Sequence, residues 1–127
     1  MSRWFCFVVL VFIGPGPLAA QSRSEQLVTT ARERIVARDW GGADTALSDA
    51  LRSALYVMDS VNVFVWRGIY EYFRGSDSLA RLSFRRALLT KQITKLGDLD
   101  KIDPGVAALF EAEARPFRVE RAVTCRL

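Results

Sequence analysis

A short pattern of small and large apolar residues occurs twice in this chain. Each copy has the form Ala-x-x-x-[Leu/Phe]-x-x-Ala-Leu, and the copies begin at Ala43 and, 37 residues later, at Ala80. Small residues at this spacing let two helix backbones approach closely, and the larger apolar residue fills the space between neighbouring helices. A repeat with a period of roughly 20 to 50 residues indicates stacked helical hairpins, which usually bind other proteins and do not usually catalyse reactions.

Five helices are predicted from the spacing of apolar residues and from the residues that begin and end helices. Asp59 or Ser60 is expected to cap the third helix, and Asp103 followed by Pro104 is expected to begin the fifth. Pro116 should end the fifth helix, because proline lacks the amide proton that a helix interior needs. The predicted helices cover residues 24–38, 43–58, 61–74, 78–92 and 104–115.

The third predicted helix is apolar on nearly all sides. Its first part, Val61–Trp66, has the β-branched and aromatic residues of a strand. We nevertheless predict a helix, because Gly68 and Gly75 fit the register of the repeat. A helix of this composition should lie in the centre of the fold, covered on several sides.

The last residues change from helical to alternating periodicity. Alternation of apolar and polar side chains predicts a strand, and an isolated strand needs a partner. We therefore expect residues 116–127 to form an extended tail that pairs with another chain or with a β-domain. The unpaired Cys125 would then allow a dimer, either through a disulfide or through the strand itself. The alternative is that the strand lies flat on the last helix. The apolar positions of the tail are Phe117, Val119, Val123, Cys125 and Leu127.

The first 20 residues have the layout of a secretory signal peptide. Met1–Arg3 is a short basic start, Trp4–Ile13 is an unbroken apolar run, and Leu18–Ala20 leads into Gln21. The apolar run is shorter than the roughly 20 residues that span a bilayer. We expect cleavage after Ala20, a periplasmic or secreted protein, and no stable membrane span after signal cleavage. An uncleaved membrane anchor is the alternative that the sequence leaves open.

The chain after the signal lacks the residue sets that catalysis and metal binding usually need. The sequence contains no His, which removes the commonest general base and the commonest metal ligand. Cys6 lies in the signal, so Cys125 has no partner for an intrachain disulfide. Asp98, Asp100 and Asp103 alternate in a loop, but they lack the later Glu of a calcium loop. We expect no enzymatic activity, no catalytic residue, no cofactor and no metal.

The charge of the chain argues against nucleic-acid binding. Lys and Arg number 18 and Asp and Glu number 14, which gives a formal net charge of +4. The basic residues are spread along the chain and interleaved with acids, whereas a nucleic-acid-binding protein usually concentrates its charge on one face. We therefore expect these charges to lie on solvated helix faces.

Residues 24–92 resemble the tetratricopeptide repeat. In that family the first helix of each hairpin carries a small residue where the second helix crosses it, and Ala31 and Gly68 stand at that place. The chain departs from the family in its spacing, which exceeds the usual period of about 34 residues, and in having Leu55 where a proline is common. The resemblance implies an all-α fold with two hairpins in a domain of residues 24–115, a C-terminal capping helix and a short terminal extended segment.

The resemblance also implies a binding groove. In the tetratricopeptide family the first helix of each hairpin lines the concave surface of the repeat. A mixed polar and apolar surface of this kind suits an extended peptide or a helix. Carried over by position, the groove residues are Glu25, Val28 and Arg32 from the first hairpin and Asn62, Val65, Ile69 and Tyr72 from the second.

The sequence thus predicts a non-enzymatic, exported helical-repeat module that mediates protein–protein interaction in the bacterial cell envelope. The envelope is indicated by the signal and by a second resemblance, to exported envelope proteins in which a last repeat precedes a capped helix ending Phe-x-x-x-Ala-Arg. Phe110, Ala114 and Arg115 fit that ending. The expected partner is another protein or peptide, whose identity the sequence does not give. The alternatives are a structural helical segment of a larger envelope protein without its own ligand, and a small secreted enzyme or metal protein.

Overall fold

The computed structural model describes residues 21–92, 94, 96 and 103–124, with the side chains of the last helix described as far as Arg118. Within these residues the chain forms five helices and no strand, which confirms the all-α fold class. The predicted signal at residues 1–20 and the cysteine at position 125 lie outside them. The helices are α1 (Arg23–Val36), α2 (Trp40–Arg52), α3 (Val57–Phe73), α4 (Asp77–Thr90) and α5 (Pro104–Thr124).

The helices pack as two hairpins, α1 with α2 and α3 with α4. Each hairpin turns through one residue with positive φ, Arg38 at 58° in the first and Gly75 at 82° in the second. Glycine adopts this conformation readily, whereas an arginine there is strained. Asp39 then begins α2, because its carboxylate accepts a hydrogen bond from the amide of Gly42 at 3.0 Å.

The two copies of the repeated pattern occupy equivalent places on α2 and α4. Ala43, Leu47 and Ala50 are buried on the first, and Ala80, Phe84 and Ala87 are buried on the second. The large residue of the second copy lies directly on α3, where a Cβ atom added to Gly68 would come within 2.6 Å of Cδ1 of the Phe84 ring. The glycine therefore permits the close crossing that the repeat predicts.

The central position predicted for α3 is confirmed. This helix contacts α1, α2 and α4. Val61, Val65 and Ile69 lie in a core shared with α4 and α5. Tyr70 lies in a second core with α1 and α2, and Val63 packs with Val28 and Ala50 in a third.

The junction between the hairpins differs from the prediction. The second helix was expected to continue to Met58, but α2 ends at Arg52 and α3 begins at Val57. The reason is Asp59, whose carboxylate accepts hydrogen bonds from the amides of Leu55 and Tyr56 at 3.1 and 3.2 Å. These bonds satisfy amides at the start of α3 and hold the preceding residues outside both helices.

The strand predicted after Pro116 is wrong within the described residues. The helix α5 continues through Pro116 to Thr124, so residues 117–124 are helical and not extended. Pro116 lacks the amide proton that a helix interior uses, and two contacts compensate for this loss. Phe117 packs on the core shared by α3, α4 and α5, and the guanidinium of Arg118 pairs with the carboxylate of Glu111, seven residues earlier.

Candidate functional site

A groove lies between α1, α3 and the beginning of α5. Its inner part encloses about 150 Å³ and has an almost entirely apolar surface. Ile35, Ile69 and Val106 form its floor, one from each of the three helices, and all three are buried. The remaining lining residues are Arg32, Val36, Trp66, Phe73 and Asp103. We call this the inner compartment.

A second, wider depression of about 310 Å³ continues from the inner compartment toward the turn between α1 and α2. It shares Ile35, Val36 and Phe73 with the inner compartment and adds Arg38 and Trp40. We call it the outer compartment, and the two together the groove. Val36 and Phe73 line both compartments, and their side chains are 85% and 41% exposed. Large apolar side chains so exposed beside a concave surface are typical of a binding site.

The cationic side chain of the inner compartment is held in place by an aromatic ring. The guanidinium carbon of Arg32 lies 4.8 Å from the centre of the Trp66 ring. Such a cation–π contact orients the guanidinium without using its hydrogen-bond donors. Within the described part of the chain, neither Arg32 nor Arg38 has a carboxylate within 4.0 Å. Among the described residues, both guanidiniums therefore line the groove without a carboxylate partner.

Among the described lining residues, Asp103 supplies the carboxylate, and this group is already engaged. Asp103 accepts hydrogen bonds from the amides of Gly105 and Val106, at 2.7 and 3.4 Å, and so begins α5. The Tyr72 hydroxyl lies beside Gly105 and Asp103 at the start of α5. Partial burial raises the pKa of the Tyr72 phenol above its ordinary value, and the charges of Asp103 and Asp77 raise it further. Asp103 keeps its negative charge, but its hydrogen bonds hold it at the start of α5, so among the described lining residues the two arginines are the groups available for charge pairing with a ligand.

The predicted groove residues separate into three kinds of position. Arg32 and Ile69 line the groove. Glu25 and Asn62 are exposed on the same two helices, where Glu25 completes the capping of α1 with Ser22. The others face the interior of the fold: Val28 and Val65 are buried in core clusters, and Tyr72 is partly buried against the beginning of α5.

The sequence reasoning missed several lining residues because its helix register was off by one position. It chose Val65 and Tyr72, whereas their neighbours Trp66 and Phe73 line the groove. Helical spacing from Ile69 alone, three residues back and four residues forward, would have found both. The contribution of α5 carries no such signal, because nothing in the local sequence places Val106 beside α1.

The described residues hold no group of three or more His, Cys, Asp or Glu side chains that could bind a metal ion. Among the helices of the described part, none is long and apolar enough to cross a bilayer. The described lining of the groove offers apolar surface and two arginines for charge pairing. No family model, characterised protein or solved structure matches the chain. The resemblance to tetratricopeptide repeats consequently stays a prediction.

Proposed function

We propose that this protein is an exported, non-enzymatic helical-repeat module of the bacterial cell envelope that binds a segment of another protein in the groove. The observation that supports this proposal is the exposure of Val36 and Phe73 above a floor that is already apolar. A solvent-exposed apolar surface of this shape gains free energy when a partner side chain covers it. A tetratricopeptide-like module uses the same side of its hairpins.

The geometry of the groove defines the chemistry of the segment. The inner compartment, at about 150 Å³, accommodates one apolar side chain such as Leu, Met or Phe. The outer compartment is wider and less apolar, and it takes a second anchor beside Arg38. Arg32 and Arg38 each favour a carboxylate on the segment, because arginine pairs with carboxylates in a bidentate manner. The proposed ligand is therefore a peptide with two apolar anchors and at least one acidic residue near them.

A peptide-library selection tests this proposal. The chain beginning at Gln21 serves as bait, and the variant Arg32→Glu/Phe73→Ser, whose changed side chains are both exposed, serves as counter-selection. We expect the selected peptides to combine apolar anchors with Asp or Glu and to bind the variant at least about tenfold more weakly, which corresponds to roughly 1.4 kcal/mol.

The matched control is Leu79→Ser/Leu82→Ser, on the solvent-facing side of α4, where both leucines are exposed. This control should bind the selected peptides as the unchanged chain does. Peptides without acidic residues, or equal binding by the groove variant, would contradict the proposal. The alternative of a structural segment without a ligand predicts that no peptide is selected at all.

A further inference from the structure

Four consecutive apolar side chains protrude from the junction between the two hairpins, away from the groove. Leu55, Tyr56, Val57 and Met58 are 80%, 70%, 61% and 51% exposed, respectively. We call these four residues the apolar tip. Isolated exposed apolar residues are common on protein surfaces, but four in succession at one loop form a contiguous patch. Neither the groove nor the core uses them.

The apolar tip is held in a fixed shape. Asp59, which is buried, accepts hydrogen bonds from the amides of Leu55 and Tyr56 and from the hydroxyl of Ser22, the last at 3.3 Å. A buried carboxylate that binds two amides of the junction and the hydroxyl of Ser22 fixes the junction against the start of α1. The apolar side chains are therefore displayed by this fixed junction and by the first turn of α3.

The same end of the molecule carries basic side chains and receives the N-terminal segment. The ammonium of Lys91 lies 3.2 Å from the sulfur of Met58, and Arg23 begins α1 next to Ser22. The apolar run Trp4–Ile13 is separated from Ser22 by eight residues. Eight residues reach at most about 30 Å. While that run is joined to the chain, it keeps Ser22, which hydrogen-bonds to Asp59 behind the apolar tip, within this distance of any membrane that the run enters.

We propose that the apolar tip inserts into the surface of an anionic phospholipid membrane. Apolar side chains beside a tyrosine suit the boundary between headgroups and acyl chains, where tyrosine is enriched in membrane proteins. Lys91 and Arg23 then face the anionic headgroups, which attract basic residues near the surface. The groove, on another part of the molecule, stays open for its peptide. This proposal does not depend on the proposed function of the groove.

Vesicle co-sedimentation tests the proposal on the chain beginning at Gln21, which contains every described contact of the three core clusters. Vesicles that contain phosphatidylglycerol should bind the chain, and vesicles of phosphatidylcholine alone should bind it more weakly. The variant Leu55→Ser/Val57→Ser should lose binding by about tenfold or more, because membrane affinity follows the apolar area inserted. Both replaced side chains are exposed, so the fold should be retained, and circular dichroism checks this.

The matched control variant is Leu79→Ser/Leu82→Ser, which removes two leucines that are 48% and 45% exposed on α4. It should bind the vesicles as the unchanged chain does. The proposal is overturned if the unchanged chain does not bind, or if the tip and control variants lose binding equally. It is also overturned if the tip variant changes only the molecular mass measured by light scattering, because the tip would then join two copies of the chain. The groove variant Arg32→Glu/Phe73→Ser should leave vesicle binding unchanged, so this test and that of the groove fail independently.

Discussion

Replacing Gly68 by alanine tests the close helix crossing on which the second hairpin depends. The Cβ atom added at this position would meet three atoms of the Phe84 ring, with Cδ1 at 2.6 Å and Cζ at 2.9 Å. Phe84 is fully buried and stacks edge-on against Phe110, with ring centres 5.3 Å apart. The ring therefore has no free space to enter, and either the helices separate or the aromatic pair rearranges.

Two opposing terms determine the magnitude of the effect. Overpacking of a filled core costs about 1–3 kcal/mol. Alanine in a helix interior is favoured over glycine by up to about 1 kcal/mol. The overpacking term is larger here because the contacts lie well inside normal carbon–carbon distances, so we expect Gly68→Ala to lower the free energy of unfolding by about 1–2 kcal/mol. For a domain of this size that corresponds to a melting temperature lower by about 5–15 °C.

Thermal unfolding followed by far-ultraviolet circular dichroism measures this change. The control is Gly41→Ala on α2, where an added Cβ atom meets nothing within 4 Å and the melting temperature should stay equal or rise slightly. The double variant Gly68→Ala/Phe84→Leu should lose less stability than the sum of the two single variants, because leucine vacates part of the space. An unchanged or raised melting temperature for Gly68→Ala would refute the crossing geometry.

Three further predictions concern α5, the repeated pattern and the turn of the first hairpin. Pro116→Ala should raise the melting temperature and the helix content, with a gain of roughly 1–3 kcal/mol, because it restores an amide donor inside α5; a lower helix content would contradict the continuous helix. Ala80→Leu should destabilise the chain by roughly 1–3 kcal/mol more than Ala112→Leu, because Ala80 is fully buried and Ala112 is exposed; equal melting shifts would contradict the register of the repeat. The hydrogen bond from Arg34 lowers the pKa of Asp39 below its ordinary value, with help from the amide of the α2 first turn. The ionised carboxylate of Asp39 therefore stabilises the fold at pH values above its unfolded-state pKa. This stabilisation is lost as pH falls through the lower folded-state pKa. As pH falls below 3.8, the ordinary pKa of an aspartate, Asp39→Asn should lose less melting temperature than the unchanged chain, and parallel pH profiles would refute this role.

The hairpins could be predicted from sequence because their determinants are local and repeated. Small and large residues alternate on α2 and α4, and α3 carries a glycine where α4 crosses it. Together these residues predict closely packed helix pairs. The same pattern overrode the strand propensity of Val61–Trp66, since β-propensity depends strongly on context. The fold class and the central place of α3 follow from these features.

The sequence analysis missed the ends of α2 and α5 because it began the third helix after Asp59 and ended the fifth at Pro116. The carboxylate of Asp59 binds the amides of the preceding loop, and this ends α2 early in spite of an apolar stripe that continues to Met58. The helix after Pro116 is stabilised by the packing of Phe117 and by the pairing of Arg118 with Glu111. Local rules describe proline as a helix breaker, and the tertiary contacts compensate for the lost hydrogen bond.

The candidate groove was predicted in place but not in detail. Its location between the first helices of the hairpins follows from the resemblance, and Arg32 and Ile69 do line it. The aromatic residues Trp66 and Phe73 were not among the predicted groove residues, because an apolar helix gives no sign of which face meets solvent. The contribution of α5 depends on a chain reversal that periodicity does not encode.

Site-specific photo-crosslinking in living cells tests the central proposal most directly. A photoreactive phenylalanine analogue replaces Val36, which is 85% exposed between the two compartments of the groove, and in a matched strain it replaces Leu82 on α4, which is 45% exposed. We expect irradiation to give a discrete adduct of higher mass from position 36, to give none from position 82, and to give a weaker adduct from position 36 when Arg32→Glu is also present. No adduct from position 36, or equal adducts from both positions, would contradict the groove as a protein-binding site.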